Sequence, residues 1–174
     1  MKKIFKMLYL SLAFLCLLGI GGNLEAGTYT IPPCAFMPID YETYPLEWCA
    51  YNNALLLSNT PRARNADFVA PLNLPNGITI KKITIYFTDE NGADWSDIDI
   101  RILRYELSTG ESEYLATCYT GELATVQGRR SLVLTGSRLH YKTINNNSYA
   151  YSIRVSFGLN TGGFTQLHEI AITY

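Results

Sequence analysis

Helical periodicity is almost missing from this 174-residue chain, and the chemistry-bearing strings that mark common enzyme classes are missing with it. There is no CxxC pair, no glycine-rich loop ending in lysine, and neither a GxSxG nor an HExxH string. These absences exclude a clustered-cysteine zinc site, a phosphate-cradling P-loop, a nucleophile elbow and a helical zincin motif. Histidine is scarce, with only His140 and His168. Charge of either sign is sparse and nearly balanced, 14 Lys+Arg against 15 Asp+Glu, so no basic stripe exists to neutralise a nucleic-acid backbone. Past residue 20 no apolar run is long enough to cross a bilayer as a helix.

What is present begins at the N-terminus. Lys2, Lys3 and Lys6 precede an apolar run over 7–20, and Ala26-Gly27 follows a short stretch of small and polar residues. That order of charge, short apolar run and small residue predicts a secretory leader over 1–26, with the mature chain starting near Gly27. Leu24 stands three residues before the scissile bond and is an imperfect fit there. Cys16 offers a lipoprotein alternative, but Leu15 occupies the place where a small residue is needed. Removing Lys2, Lys3, Lys6 and Glu25 leaves 11 basic against 14 acidic residues, a formal charge of −3. The remaining 148 of 174 residues suit one domain with a full core. The expected location is secreted, periplasmic or at the cell surface, with no membrane span after cleavage.

Three cysteines outlast the leader: Cys34, Cys49 and Cys118. In an oxidising compartment the expectation is one bridge and one remaining thiol. Cys34 and Cys49 flank an irregular, proline- and tyrosine-containing segment, and a bridge closing that loop of about 15 residues would stabilise by ~3 kcal/mol. A bridge from Cys118 to either is the competing arrangement. Cys118 itself lies in a strand-like stretch and reads as a small buried apolar residue.

Strand signals are dense. Ile83-Thr84-Ile85-Tyr86-Phe87 alternates, as do Ile98, Ile100 and Ile102, and Tyr149 through Phe157 alternates most cleanly. Ile78-Thr79-Ile80 alternates in the opposite phase across Lys81-Lys82, and Leu103, Tyr105 and Leu107 take over from the isoleucines. Both phase changes predict bulges. Short strands are also expected over 114–119, 130–135 and 139–144, and a last one through Ile170, Ile172 and Tyr174. Gly- and Asn-rich turns separate them, including Pro75-Asn76-Gly77 and Asn145-Asn146-Asn147. About eight such strands predict an all-β fold, a two-sheet antiparallel β-sandwich of jelly-roll-like or Ig-like type. Residues 27–66 read as an irregular N-terminal arm packed on a sandwich core of 67–174.

The block 68–77, from Phe68-Val69-Ala70-Pro71 to Asn76-Gly77, leads into Ile78-Thr79-Ile80 and later into Thr88-Asp89-Glu90-Asn91. With Ile98-Asp99-Ile100-Arg101-Ile102 and the closing Ile170-Ala171-Ile172-Thr173-Tyr174, it resembles a group of secreted bacterial β-sandwich domains with no assigned function. The resemblance spans roughly residues 31–174. It implies the fold and export, and brings no site residue with it.

The candidate site residues lie in one loop. Trp95, flanked by Asp94 and Asp97, offers an aromatic face for a sugar ring with carboxylates to accept its hydroxyl hydrogen bonds; folding back to cap the sandwich is the alternative. Asp89 and Asp94 give a lesser possibility of a calcium ion, since calcium takes six to eight oxygens from flexible loops. No cofactor is expected and no catalytic residue stands out. His140 and His168 read as solvated strand positions facing away from their apolar neighbours. The function expected is an exported, non-enzymatic surface or carbohydrate-binding module whose partner is an extracellular glycan or another cell-surface component. A self-assembling cell-surface protein, with homo-oligomers, is the first alternative. A small secreted hydrolase is the second, because catalytic triads assemble in space rather than in sequence.

Overall fold

Alternating β-branched residues build the molecule, which we describe from a computed structural model covering residues 26–39, 55–56, 66–89, 98–120, 128–157 and 165–174. The leader, Cys49 and the 90–97 loop lie outside those residues. The described residues form ten strands: β1 (Thr28–Ile31), β2 (Met37–Pro38), β3 (Leu55–Leu56), β4 (Ala66–Pro71) and β5 (Lys82–Asp89) come first. Then come β6 (Ile98–Glu106), β7 (Ser112–Tyr119), β8 (Gly128–Thr135), β9 (Tyr149–Phe157) and β10 (Thr165–Thr173). No α-helix occurs among the described residues, and none of them forms a helix long and apolar enough to cross a membrane.

The strands form two antiparallel five-stranded sheets. One has the order β1-β10-β5-β8, with β3 also paired to β10; the other has the order β2-β4-β9-β6-β7. Among the described strands only the β6–β7 hairpin joins neighbours of one sheet; elsewhere successive strands alternate between sheets, the jelly-roll manner of avoiding long free edges. One face of each sheet supplies the core. Ile83, Ile85 and Phe87 of β5 meet Leu132 and Leu134 of β8 and Leu167, Ile170 and Ile172 of β10, all buried. From the other sheet come Phe68, Ile98, Ile100, Ile102, Ile153, Val155 and Phe157, with the Phe68 and Phe157 rings edge-to-face at 5.7 Å. Each such side chain, fully buried, contributes about 1.5–3 kcal/mol.

The first predicted phase change is real but is no bulge, and the second does not occur in β6: Tyr105, and Leu107 just past the strand's end, are exposed. Ile78 and Ile80 do not belong to β5. Their segment pairs with the 142–144 stretch through the Thr79–Thr143 bridge and the Gly77, Ile78, Ile80 and Ile144 backbone bonds, so the phase changes because one strand stops before another starts. β6 runs unbroken against β9 for all nine residues, and the bulge lies in its other neighbour, β7. A further irregularity falls at His168, the extra residue of β10 between Leu167 and Glu169.

The strand expected over 139–144 is also absent. Tyr141 has φ 47°, the one non-glycine residue in the left-handed region among those described, and this breaks the extended run. A left-handed non-glycine residue costs about 1–2 kcal/mol, which neighbouring contacts must offset. Leu139 and Ile144 are buried on either side of it, and Asn146 binds Asn76 and the Leu74 carbonyl, so this connection is pinned to the 74–80 segment.

Candidate glycan-binding face

Of the residues singled out from sequence, Trp95, Asp94 and Asp97 lie outside the described residues, as does the side chain of Asp89 at the end of β5. Cys34 is exposed on the 3-10 turn Pro33–Ala35, and its expected partner Cys49 lies outside the described residues. Cys118 is buried, as a strand-borne apolar residue should be. His140 is not on a strand: it is exposed in the 136–148 connection, and its backbone N–H donates to the Leu115 carbonyl at 2.7 Å. His168 is half-buried at the β10 bulge, with Nε2 2.7 Å from Thr88 Oγ1. Burial, then the Arg129 charge, hold its pKa below the ordinary imidazole value. A Thr–His contact alone lacks the third group that orients a catalytic base. No cluster of three or more metal-ligating side chains occurs among the described residues.

The structure instead brings together a set of side chains on the open face of the β2-β4-β9-β6-β7 sheet. Register decides which residues reach it. Opposite β6, Tyr119 pairs with Asp99, Thr117 with Arg101 and Ala116 with Ile102, but Leu103 then pairs with Tyr114. Leu115 is therefore one residue too many, and both it and Ala116 point into the core at 0% exposure. In a regular strand Tyr114 and Tyr119, five residues apart, would occupy opposite faces. The bulge turns them to the same face, where they are 50% and 45% exposed.

Between the tyrosines and β4 lies a row of paired charges. Arg101 and Arg154 are direct cross-strand partners. Left alone, two guanidinium groups at that distance repel. Asp99 accepts from Arg101, at 2.8 Å from Nε, and Asp67 on β4 accepts from Arg154 and Ser156. Burial pushes the Asp67 carboxyl up, but the hydrogen bonds from Arg154 and Ser156 and the charges of Arg154 and Arg101 outweigh it and hold its pKa below the ordinary value. The hydrogen bond to Asp99 is the main reason Arg101 is held above its ordinary value; its charge and a contact with Tyr114 add to this, against partial burial. The four charges cancel.

These side chains border an open groove of about 430 Å³ lined by Asp99, Arg101, Tyr114, Thr117, Cys118 and Tyr119. Leu103, outward by register yet only 7% exposed, pairs with Tyr114 on the same face. Two exposed rings and neutralised polar groups can stack on a flat molecule and hydrogen-bond its edge. Sequence reasoning missed the tyrosines because alternation alone assigns one of them to the core. The one signal that marks them is the consecutive apolar pair Leu115-Ala116 inside a strand.

No known family matches the chain, and no curated protein does. Among solved structures the chain is similar to a xylan-binding module, CBM15, at 12% identity over 84% of this chain and 97% of that one, with a TM-score of 0.45. It is also similar to the CBM36-1 domain of a multidomain xylanase from the hindgut metagenome of Trinervitermes trinervoides (12% identity, 84% and 96% covered, TM-score 0.46). A third is the family 32 CBM of C. perfringens NanJ, solved in complex with galactose (12% identity, 85% and 100% covered, TM-score 0.43). At such identities and scores, likeness says nothing about the ligand of this chain.

Proposed function

We propose that the protein is a binding module that takes an uncharged glycan on the open face of the β2-β4-β9-β6-β7 sheet. The observation that carries it is the placement of Tyr114 and Tyr119, both about half exposed, on one face beside the Arg101–Asp99 pair. A pyranose offers apolar C–H faces to aromatic rings and hydroxyls to paired donors and acceptors. Because Asp67, Asp99, Arg101 and Arg154 neutralise one another, the strands of this face carry no excess positive charge among the described residues with which to hold a polyanion. This moves the expected ligand contact from the 90–97 loop to the sheet. Trp95, Asp94 and Asp97, in the sequence between β5 and β6, contribute further glycan contacts under this proposal. Export follows in the same proposal, with the leader removed near Gly27 and Cys34 bridged to Cys49. Intact mass and non-reducing peptide mapping test those two points.

Affinity electrophoresis tests binding. The purified protein is run through native gels containing xylan, β-glucan or glucomannan, with polygalacturonate as the anionic contrast. At least one neutral polymer should retard it and the anionic one should not, and Tyr119→Ala should weaken the retardation. Unretarded migration in every neutral gel, or stronger retardation by polygalacturonate, overturns the proposal.

A further inference from the structure

We infer that the His140-Tyr141 dipeptide is a clamp that fixes the β7 bulge and so keeps Tyr114 on the binding face, with Arg104 and Tyr141 as its positioning residues; the functional half of this inference rests on the glycan-binding proposal. Tyr114 is bracketed by two residues, Glu113 and Leu115, and the 136–148 connection holds both. On one side the His140 N–H donates to the carbonyl of Leu115, the extra residue of the bulge. On the other, the Tyr141 hydroxyl donates to Glu113 Oε1 at 3.2 Å. Arg104 joins the two elements. Its guanidinium carbon lies 3.4 Å from the centre of the Tyr141 ring and 4.2 Å from that of Tyr149, and its Nε donates to Glu113 Oε2 at 2.7 Å. A cation held between two rings and a carboxylate is fixed in place more firmly than any one contact would fix it.

The physical need for such a clamp follows from the strand. A bulge interrupts the ladder, and an edge strand has a partner on one side only, so β7 has few bonds of its own to hold one register. Moving the extra residue toward Ser112 would turn Tyr114 inward and Leu115 outward. The left-handed φ of Tyr141 is the conformation that lets His140 reach the bulge carbonyl while Tyr141 turns back over Arg104. Arg104 does not line the groove, and its side chain is mostly buried. It acts through Glu113 and the connection.

The test measures hydrogen exchange of β7 together with binding in the same gels. Arg104→Met removes the cation and the ion pair but keeps the length of the side chain; Tyr141→Phe keeps the ring on Arg104 and loses only the bond to Glu113. In Arg104→Met, amides of peptides covering 112–117 should exchange at least tenfold faster while those of β9 and β10 keep their rates. Retardation by the neutral polymer should fall about fivefold, the loss expected for Tyr114 itself, and Tyr141→Phe should stay within about twofold of the parent in both readouts. Should Arg104→Met unfold, Tyr141→Gly, which suits the left-handed backbone, replaces it with the same expected result. Unchanged β7 exchange, or a rise spread equally over β9 and β10, overturns the clamp. A parent protein that binds no neutral polymer overturns the glycan proposal instead, and faster β7 exchange in Arg104→Met would then still support the clamp.

Discussion

Replacing the two groove tyrosines singly and together gives a quantitative test of a shared binding face. Tyr114 and Tyr119 pair with Leu103 and Asp99 of β6, so they lie four strand steps apart, about 13 Å at 3.3–3.4 Å per residue. Sites separated by more than 7–10 Å with no shared partner act additively within about 0.5 kcal/mol. An aromatic contact of this kind is worth about 1 kcal/mol, so each alanine substitution should weaken binding roughly fivefold and the pair roughly thirtyfold. Titration calorimetry with the best soluble polymer, followed by oligosaccharides of decreasing length, measures this. Ligands shorter than ~13 Å reach one ring only and should lose the second increment. Both side chains are half exposed, so melting temperatures should stay within a few degrees of the parent. Tyr114→Phe controls for the contact with Arg101. Single variants that abolish binding outright, or a double variant no weaker than either single one, would refute additive contacts on one extended face.

Three further outcomes concern stability. Asp67 is held below its ordinary pKa of 3.8, so its contribution is present above that value and disappears as pH falls through the lower folded one. The melting difference between the parent and Asp67→Asn should therefore be full at pH 6 and shrink steadily as pH falls below 3.8, and a difference that does not shrink there would contradict the assigned cause. Leu115→Ala empties a fully buried position and should cost about 2–5 kcal/mol, lowering the melting temperature by roughly 5–15 °C in thermal unfolding. Thr120→Val leaves the buried Ile98 N–H without the hydroxyl that accepts it at 2.8 Å and should cost about 1–3 kcal/mol by chemical denaturation, whereas Thr120→Ser should recover most of it.

Much of the fold was legible because the driving pattern is local. The alternation of β9 assigns Tyr149, Tyr151, Ile153, Val155 and Phe157 to the core with no knowledge of their partners; the last four are buried and Tyr149 is half-buried against the core. The chain's alternating segments likewise imply the two antiparallel sheets. Where sequence reasoning went astray, the missing information was non-local. Ile80 and Ile83 are close in the chain but pair with different elements, so their phase change carries no bulge. The extended look of residues 139–144 gives no hint of the left-handed Tyr141, whose conformation is offset by the contact with Arg104 of β6. The tyrosine face depends on one extra residue in β7, which only the register against β6 reveals. Trp95 attracted notice because an aromatic in a polar loop stands out, whereas a strand tyrosine on the open face looks like any core residue.

Strand order has a consequence for how the molecule assembles. β9 lies between β4 and β6 in one sheet, and β10 lies between β5 and the β1 and β3 segments in the other, yet these two are the last described strands in chain order. Until β9 arrives, the β6–β7 hairpin has no described strand linking it to β4, and until β10 arrives, β1 has no partner among the described strands. Each late strand must close long loops before it gains any contact, which slows folding and leaves the apolar flank of β5, with Ile83, Ile85 and Phe87, open on one edge in the meantime. Edges of that kind invite pairing between chains. Refolding yield should therefore fall with protein concentration, and the step that ends the vulnerability is the docking of β10.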